Sequence, residues 1–144
     1  MTLSKNISVH LLPCKIEATK DARVEDYFVT QPYVASVDNL PSYMKQDSDV
    51  KLKEAYFRGR RLIGRPVLLS QDYEGALLVK EEGSLTKEAT FDSFTVFEHD
   101  YPPNPKENPF LLAQDWLAIS NVVSGFIELD LRYLKLHAHT PIDE

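Results

Sequence analysis

Ala55-Tyr56-Phe57-Arg58-Gly59-Arg60-Arg61-Leu62-Ile63-Gly64 sets three arginines and two glycines among apolar residues, and the reading of this stretch decides the fold. Its aromatic and branched residues predict one extended segment, Leu52 to Ile63, ending near Gly64 to Pro66. On a strand Arg58 and Arg60 share a face, while Phe57, Gly59 and Arg61 take the other. A glycine inside a strand marks a bulge or a close backbone approach.

Outward from this segment, strands dominate. Towards the N-terminus the apolar residues alternate as Ile7, Val9, Leu11 and then change phase to Leu12, Cys14, Ile16, which predicts a strand bulged near Leu11 to Pro13. Val24, Tyr27, Phe28 and Val29 suggest another short strand, and the proline-rich and polar residues 30–50 a long loop. Val67–Leu69 and Ala76–Val79 are nearly continuous apolar runs, expected of strands buried on both faces. Phe91 to Phe97 is a further strand. Four prolines between Asp100 and Pro109 then mark a stiff connector.

A helix is expected last. Asn108 caps it with Pro109 in the first position, or Asp115 caps a shorter one, and Leu112, Trp116, Ile119 and Val123 recur at helical spacing before Gly125 stops it. Ile127, Leu129, Leu131 and Tyr133 alternate with charged residues, the period of a final half-buried strand. The whole predicts a mostly β fold, an antiparallel barrel-like body with a C-terminal helix, in one domain over residues 1–124 with an extension over 125–144.

Composition narrows the function. A single cysteine, Cys14, excludes an intrachain disulfide or a multi-cysteine zinc site, and packing as a small buried group is its expected role. The net charge of −6 opposes sequence-independent attraction to phosphate, so any nucleic-acid contact must be local or indirect. With no long apolar run and no secretory start, the chain is expected to be soluble, intracellular and off the membrane.

Motifs of catalysis are missing from the sequence. There is no glycine-rich nucleotide cradle and no Gly-x-Ser-x-Gly elbow, and therefore no expected cofactor. Glu98-His99-Asp100 holds metal-ligand chemistry, yet adjacent strand residues point in opposed directions. His137 and His139 share a face only if extended, without an evident third ligand. Arg58, Arg60, Arg61 and Arg65, with Lys51 and Lys53, form the one dense basic region. Guanidinium groups there suit carboxylates of a partner chain, phosphate, or plain solvation.

Four blocks, in order and spacing, carry a resemblance. They are Val9-His10-Leu11-Leu12-Pro13-Cys14; Phe57-Arg58-Gly59-Arg60 with Leu62 and Gly64; Gly75 with Val79; and Phe91-x-x-Phe94-Thr95-Val96-Phe97-Glu98. With the Trp116 helix they resemble the small non-catalytic subunit of eukaryotic ribonuclease H2, although Phe97 stands where a tryptophan is common. The resemblance implies a scaffold in a nuclear heterotrimer. In that family the small subunit interlaces its strands with those of a second non-catalytic subunit in a triple barrel. This platform carries the catalytic subunit, which cleaves RNA in RNA–DNA hybrids and beside ribonucleotides in DNA.

On this reading the partner contacts are His10, Leu11, Leu12, Pro13, Cys14, Phe57, Arg58, Gly59, Arg60, Phe94, Phe97 and Trp116, with the hybrid met indirectly or through a local basic patch. His10 to Cys14 is expected as a central strand and Phe57 to Arg60 as a second, with no catalytic, cofactor or metal residues. A β-barrel that stacks single-stranded nucleic acid on aromatics beside the arginines is the rival. A small hydrolase is the third class.

Overall fold

Lys53 to Leu68 is a hairpin rather than a single strand. Arg58 and Gly59 both have positive φ, 49° and 76°, the signature of a two-residue type I′ connection whose twist matches that of its flanking strands. The turn reverses the chain, so the face assignment drawn from one continuous strand is overturned: Phe57 pairs with Arg60 across the hairpin, and these two lie on the face of Leu62. Arg61 lies on the opposite face, where its Nε donates to Glu54 Oε1 at 2.5 Å and its guanidinium lies over the Tyr33 ring.

The computed structural model describes residues 5–17, 21–34, 40–44 and 50–137. These form two compact units, divided after Asn108. In the first, β1 (Lys5–Asn6), β2 (Val9–Leu11), α1 (Val24–Tyr27), β3 (Gln31–Pro32), β4 (Lys53–Phe57), β5 (Arg60–Leu68), β6 (Gly75–Glu81), β7 (Ser84–Phe91) and β8 (Ser93–His99) follow in order. They build a three-stranded sheet, β1-β7-β6, and a five-stranded sheet, β2-β8-β5-β4-β3. Strand outweighs helix, as expected. The described strands do not close into a barrel.

The sheets are joined where strands change allegiance. Only Asp92 separates β7 from β8, and there the chain leaves one sheet for the other. The N-terminal segment makes the same crossing beside it, β1 parallel to β7 and β2 parallel to β8, with the Ile7 N–H donating to Thr90 O at 3.3 Å. The antiparallel expectation therefore fails at these two pairs. No bulged strand continues to Ile16: pairing ends at Leu11, and the change of phase marks that exit.

One face of the large sheet packs Phe28, Ala55, Leu62 and Phe97, with Leu12 and Phe57 against them. The Phe97 ring sits on Gly64, its register partner, and a Cβ there would come within 2.5 Å of the ring. Gly75 and Phe91 repeat the device between β6 and β7. His10 adds its ring to the face, 5.3 Å from Phe28 and 5.8 Å from Phe97. Its buried Nδ1 has no hydrogen-bond partner among the described residues, and burial, with the Lys53 charge second, lowers its pKa below the ordinary imidazole value.

On the opposite face Ile63, Leu52 and Met44 form a second cluster with Tyr33, Leu40, Tyr43 and Val50. Residues 30–50 are thus a loop that lends side chains to the core, with an edge strand at Gln31–Pro32; residues 35–39 and 45–49 lie outside the described set. Tyr43 ties the loop to the proline connector by donating its hydroxyl to Pro102 O at 2.6 Å.

Other expectations are corrected. Val24–Tyr27 is a helical turn whose service is to deliver Phe28, which is buried while Tyr27 and Val29 are exposed. Cys14 is exposed, not packed. Val67 and Leu68 belong to the end of β5, which runs on through Gly64 and Pro66. Pro66 is tolerated because β4 stops pairing at Gly64, leaving β5 one neighbour there among the described residues. The Ala76–Val79 run is not buried on both faces, since Leu77 and Leu78 are exposed.

In the second unit α2 runs Pro109–His137, with Asn108 at the cap position and proline opening the helix. It continues through Gly125 and over the stretch read as a final strand. A lone glycine costs a helix only about 1 kcal/mol relative to alanine, and the Leu, Glu, Arg and Lys that follow are strong helix formers. No described helix is long and apolar enough to cross a membrane.

Three outcomes are expected of the protein purified in complex. Gly64→Val must displace the Phe97 ring and should cost about 1–3 kcal/mol, the usual range for overpacking, as a lowered melting temperature. Gly59→Val puts a branched side chain at φ 76° and should cost at least about 1–2 kcal/mol, the left-handed penalty. For His10 the folded pKa lies below the unfolded value of 6.5, so the unfolded chain binds more protons and stability rises with pH through that window. The contribution is complete above about pH 6.5 and is lost as pH falls below it; His10→Leu should flatten the dependence of melting temperature on pH between about 7.5 and 5.

Candidate functional site

The two blocks singled out in the sequence meet at the turn end of the large sheet. Pro13, Cys14, Lys15, Ile16 and Glu17 form one side of a groove of about 520 Å³, and Phe57, Arg58, Arg60, Leu62 and His99 the other. The hairpin brings them together, because reversal at Arg58-Gly59 places Phe57, Arg60 and Leu62 on one face, and pairing of Leu62 with His99 extends it onto β8. The N-terminal chain reaches the same face because β2 delivers His10 and Leu12 onto the aromatic cluster.

The groove has an apolar floor and a basic rim. Phe57 and Leu62 line it from the sheet and Pro13 and Ile16 from the N-terminal segment, with Ile16 61% exposed. The side chains of Arg58, Arg60 and Lys15 are exposed there, and the Arg58 guanidinium lies 5.7 Å from the Phe57 ring centre. Such stacking over an aromatic face restrains a cation without neutralising it. Glu17 is the one carboxylate in the lining.

The basic region of the sequence therefore divides. Arg61 is paired with Glu54, whose carboxyl that hydrogen bond holds below the usual range, and Arg65 Nη1 approaches Met44 Sδ at 3.6 Å. Arg58 and Arg60 remain at the groove. Turn chemistry decides this split, and linear spacing does not carry it.

Other expected contact residues have separate places. His10 and Phe97 lie behind the groove in the cluster, and Leu11 pairs with Val96. The expected central strand over His10 to Cys14 is corrected: Val9–Leu11 alone is strand, and among the described residues it forms an edge. The expected second strand over Phe57 to Arg60 is a turn. Phe94 pairs with Val9 and Val67, away from the groove. Trp116, in the second unit, is 70% exposed.

Sequence reading missed Lys15, Ile16 and His99 as groove residues, since each stands outside a motif and acquires its neighbours only by folding. It also missed the β6–β7 hairpin as a surface. Leu77, Leu78 and Leu85 are 44%, 52% and 67% exposed, and among the described residues β6 has a neighbour on one side only. Its turn, Glu82-Gly83, again has two positive φ angles, 45° and 90°. Among the described residues no three His, Cys, Asp or Glu side chains are grouped to hold a metal. Glu98 accepts from Asn108 Nδ2 at 3.2 Å, His99 lines the groove, and His139 lies outside the described residues.

No curated protein matches the chain. The family described as ribonuclease H2 non-catalytic subunit (Ylr154p-like) matches residues 8–87, more than half of the sequence, from the start of the block before β2 into β7. Both walls of the groove, His99 apart, and the turn of the exposed hairpin fall inside that span. The chain belongs to the ribonuclease H2 non-catalytic subunit family.

Proposed function

We propose that this chain is the small non-catalytic subunit of a heterotrimeric ribonuclease H2 and that its contribution to cleavage is mechanical. Its strands pair with those of a second non-catalytic subunit in a shared triple barrel. That platform holds the catalytic subunit, which cleaves RNA in RNA–DNA hybrids and at single ribonucleotides in DNA, in the nucleus. The observation that supports this best is the β6–β7 hairpin. It presents Leu77, Leu78 and Leu85 to solvent beside a seven-residue strand with an open edge among the described residues.

An open edge of that length is a template for another chain's strand, and native proteins normally shorten, charge or cover it. A sheet of two long strands with one two-residue strand beside them is close to the isolated hairpin that is marginal in water. Strands from a partner supply both the missing hydrogen bonds and an apolar cover. Shared-core interfaces of this kind bury upwards of about 2,000 Å².

Stacking of single-stranded nucleic acid is disfavoured by the contacts of one ring. Phe57 is half-buried and edge-on to Phe28, with ring centres 6.3 Å apart, and the Arg58 guanidinium lies over its ring, so a base could stack on that face only by displacing the cation.

Co-expression tests the proposal. The chain should aggregate alone and purify as a soluble trimer with the catalytic and second non-catalytic subunits, and hybrid cleavage should collapse when it is omitted. Leu77→Asp together with Leu78→Asp should weaken assembly by at least about 2 kcal/mol, roughly thirtyfold, as for loss of a buried anchor. Full cleavage without this chain, or undiminished assembly by the double variant, would overturn it.

A further inference from the structure

The groove between residues 13–17 and the Phe57–Leu62 hairpin has a chemistry that the scaffold reading does not use. Its floor is apolar, and among the described residues its exposed rim carries Lys15, Arg58 and Arg60 against one carboxylate, Glu17. This local excess of cations lies on a chain whose net charge is −6. Bulk electrostatics therefore does not select its occupant; the groove does.

We propose that the groove docks an acidic, apolar peptide segment of a partner subunit, with its carboxylates on Lys15, Arg58 and Arg60 and its apolar side chains against exposed Ile16 and half-buried Pro13 and Phe57. This rests on the scaffold reading and names the partner chemistry at one place on it. Three features select a peptide of that composition. Arginine presents a planar fork that takes a carboxylate through two parallel hydrogen bonds. The Arg58 side chain is already restrained over the Phe57 ring, which lowers the ordering cost of binding.

The third feature is the floor. A groove that recognised phosphate alone would have no use for exposed Ile16 beside half-buried Pro13 and Phe57, whereas a segment alternating apolar and acidic residues satisfies floor and rim together. Such pairing of an apolar anchor with a charged rim gives affinity from the first and register from the second.

Two residues of the groove report on its occupancy. Cys14 is the sole cysteine of the chain, is exposed, and lines the groove, so its alkylation rate measures cover. Lys15 supplies an amine that a carbodiimide couples, without a spacer, to a carboxylate in direct contact.

The experiment uses the purified trimer, with N-ethylmaleimide and a water-soluble carbodiimide as probes and mass spectrometry as readout. Cys14 should be alkylated about tenfold more slowly or less in wild-type trimer than in trimer carrying Arg58→Glu and Arg60→Glu, the protection expected at roughly nine-tenths occupancy. Raising the salt should release the protection by screening the rim. Lys15 should couple to an Asp or Glu of one of the other two subunits, within a segment that also holds apolar residues. Lys15→Arg, which keeps the charge but not the reactive amine, should abolish the product while the trimer persists.

A trimer in which Cys14 reacts as fast as in the charge-reversed trimer, or in which Lys15 couples to no partner carboxylate, overturns the groove assignment and leaves the scaffold reading standing. Protection that appears only on adding an RNA–DNA hybrid overturns it in favour of phosphate contact. Failure of the wild-type chains to form a trimer overturns the scaffold reading itself.

Discussion

The Phe97 ring lying across Gly64 is the contact around which the large sheet is organised. Gly64 has no side chain to hold the ring off the β5 backbone, so an aromatic residue of β8 covers its neighbour and closes the space between strands. Phe28 then meets Phe97 edge to face at 5.3 Å, above the small Ala55, and His10 joins the same cluster from β2. The short helix α1 and the parallel edge strand β2 both follow from this packing. Neither has enough hydrogen bonds of its own to persist without it.

This cluster also determines what lies in front of it. His10 and Leu12 anchor the N-terminal segment to the sheet face, so residues 13–17 emerge beside the Phe57–Arg60 turn and form a groove with it. The turn in turn separates arginines that look equivalent in sequence, sending Arg61 to Glu54 on the far face and leaving Arg58 and Arg60 at the rim. A basic run thus becomes one structural ion pair and one candidate recognition surface. The small sheet is of a different kind: beyond Ala89 and Thr90, which are buried, its β6–β7 hairpin turns apolar side chains to solvent, and on the scaffold reading its stability comes from strands of another chain.

Several misreadings share a cause. The turn Arg58-Gly59 lacks the asparagine or aspartate that usually announces a type I′ hairpin, so it reads as strand interior. Leu77 and Leu78 look like core in sequence, because an apolar run is the same whether its cover comes from its own chain or another. Gly125 reads as a stop and the alternation after it as a strand, although helix propensity over the same residues points the other way.

Residue order alone determined that this chain is rich in strands, that its proline connector precedes a helix, that it carries no recognisable reaction-centre motif, and that it resembles the small non-catalytic subunit of ribonuclease H2. These are matters of composition and local period, which need no neighbour. Tertiary structure decided that the described strands form two sheets and no closed barrel, that β1 and β2 pair in parallel with β7 and β8, that Cys14 faces a groove, and which arginines meet there. A two-residue period says which side chains share a face, but neither which strand lies alongside, nor in which direction it runs, nor whether the face is covered.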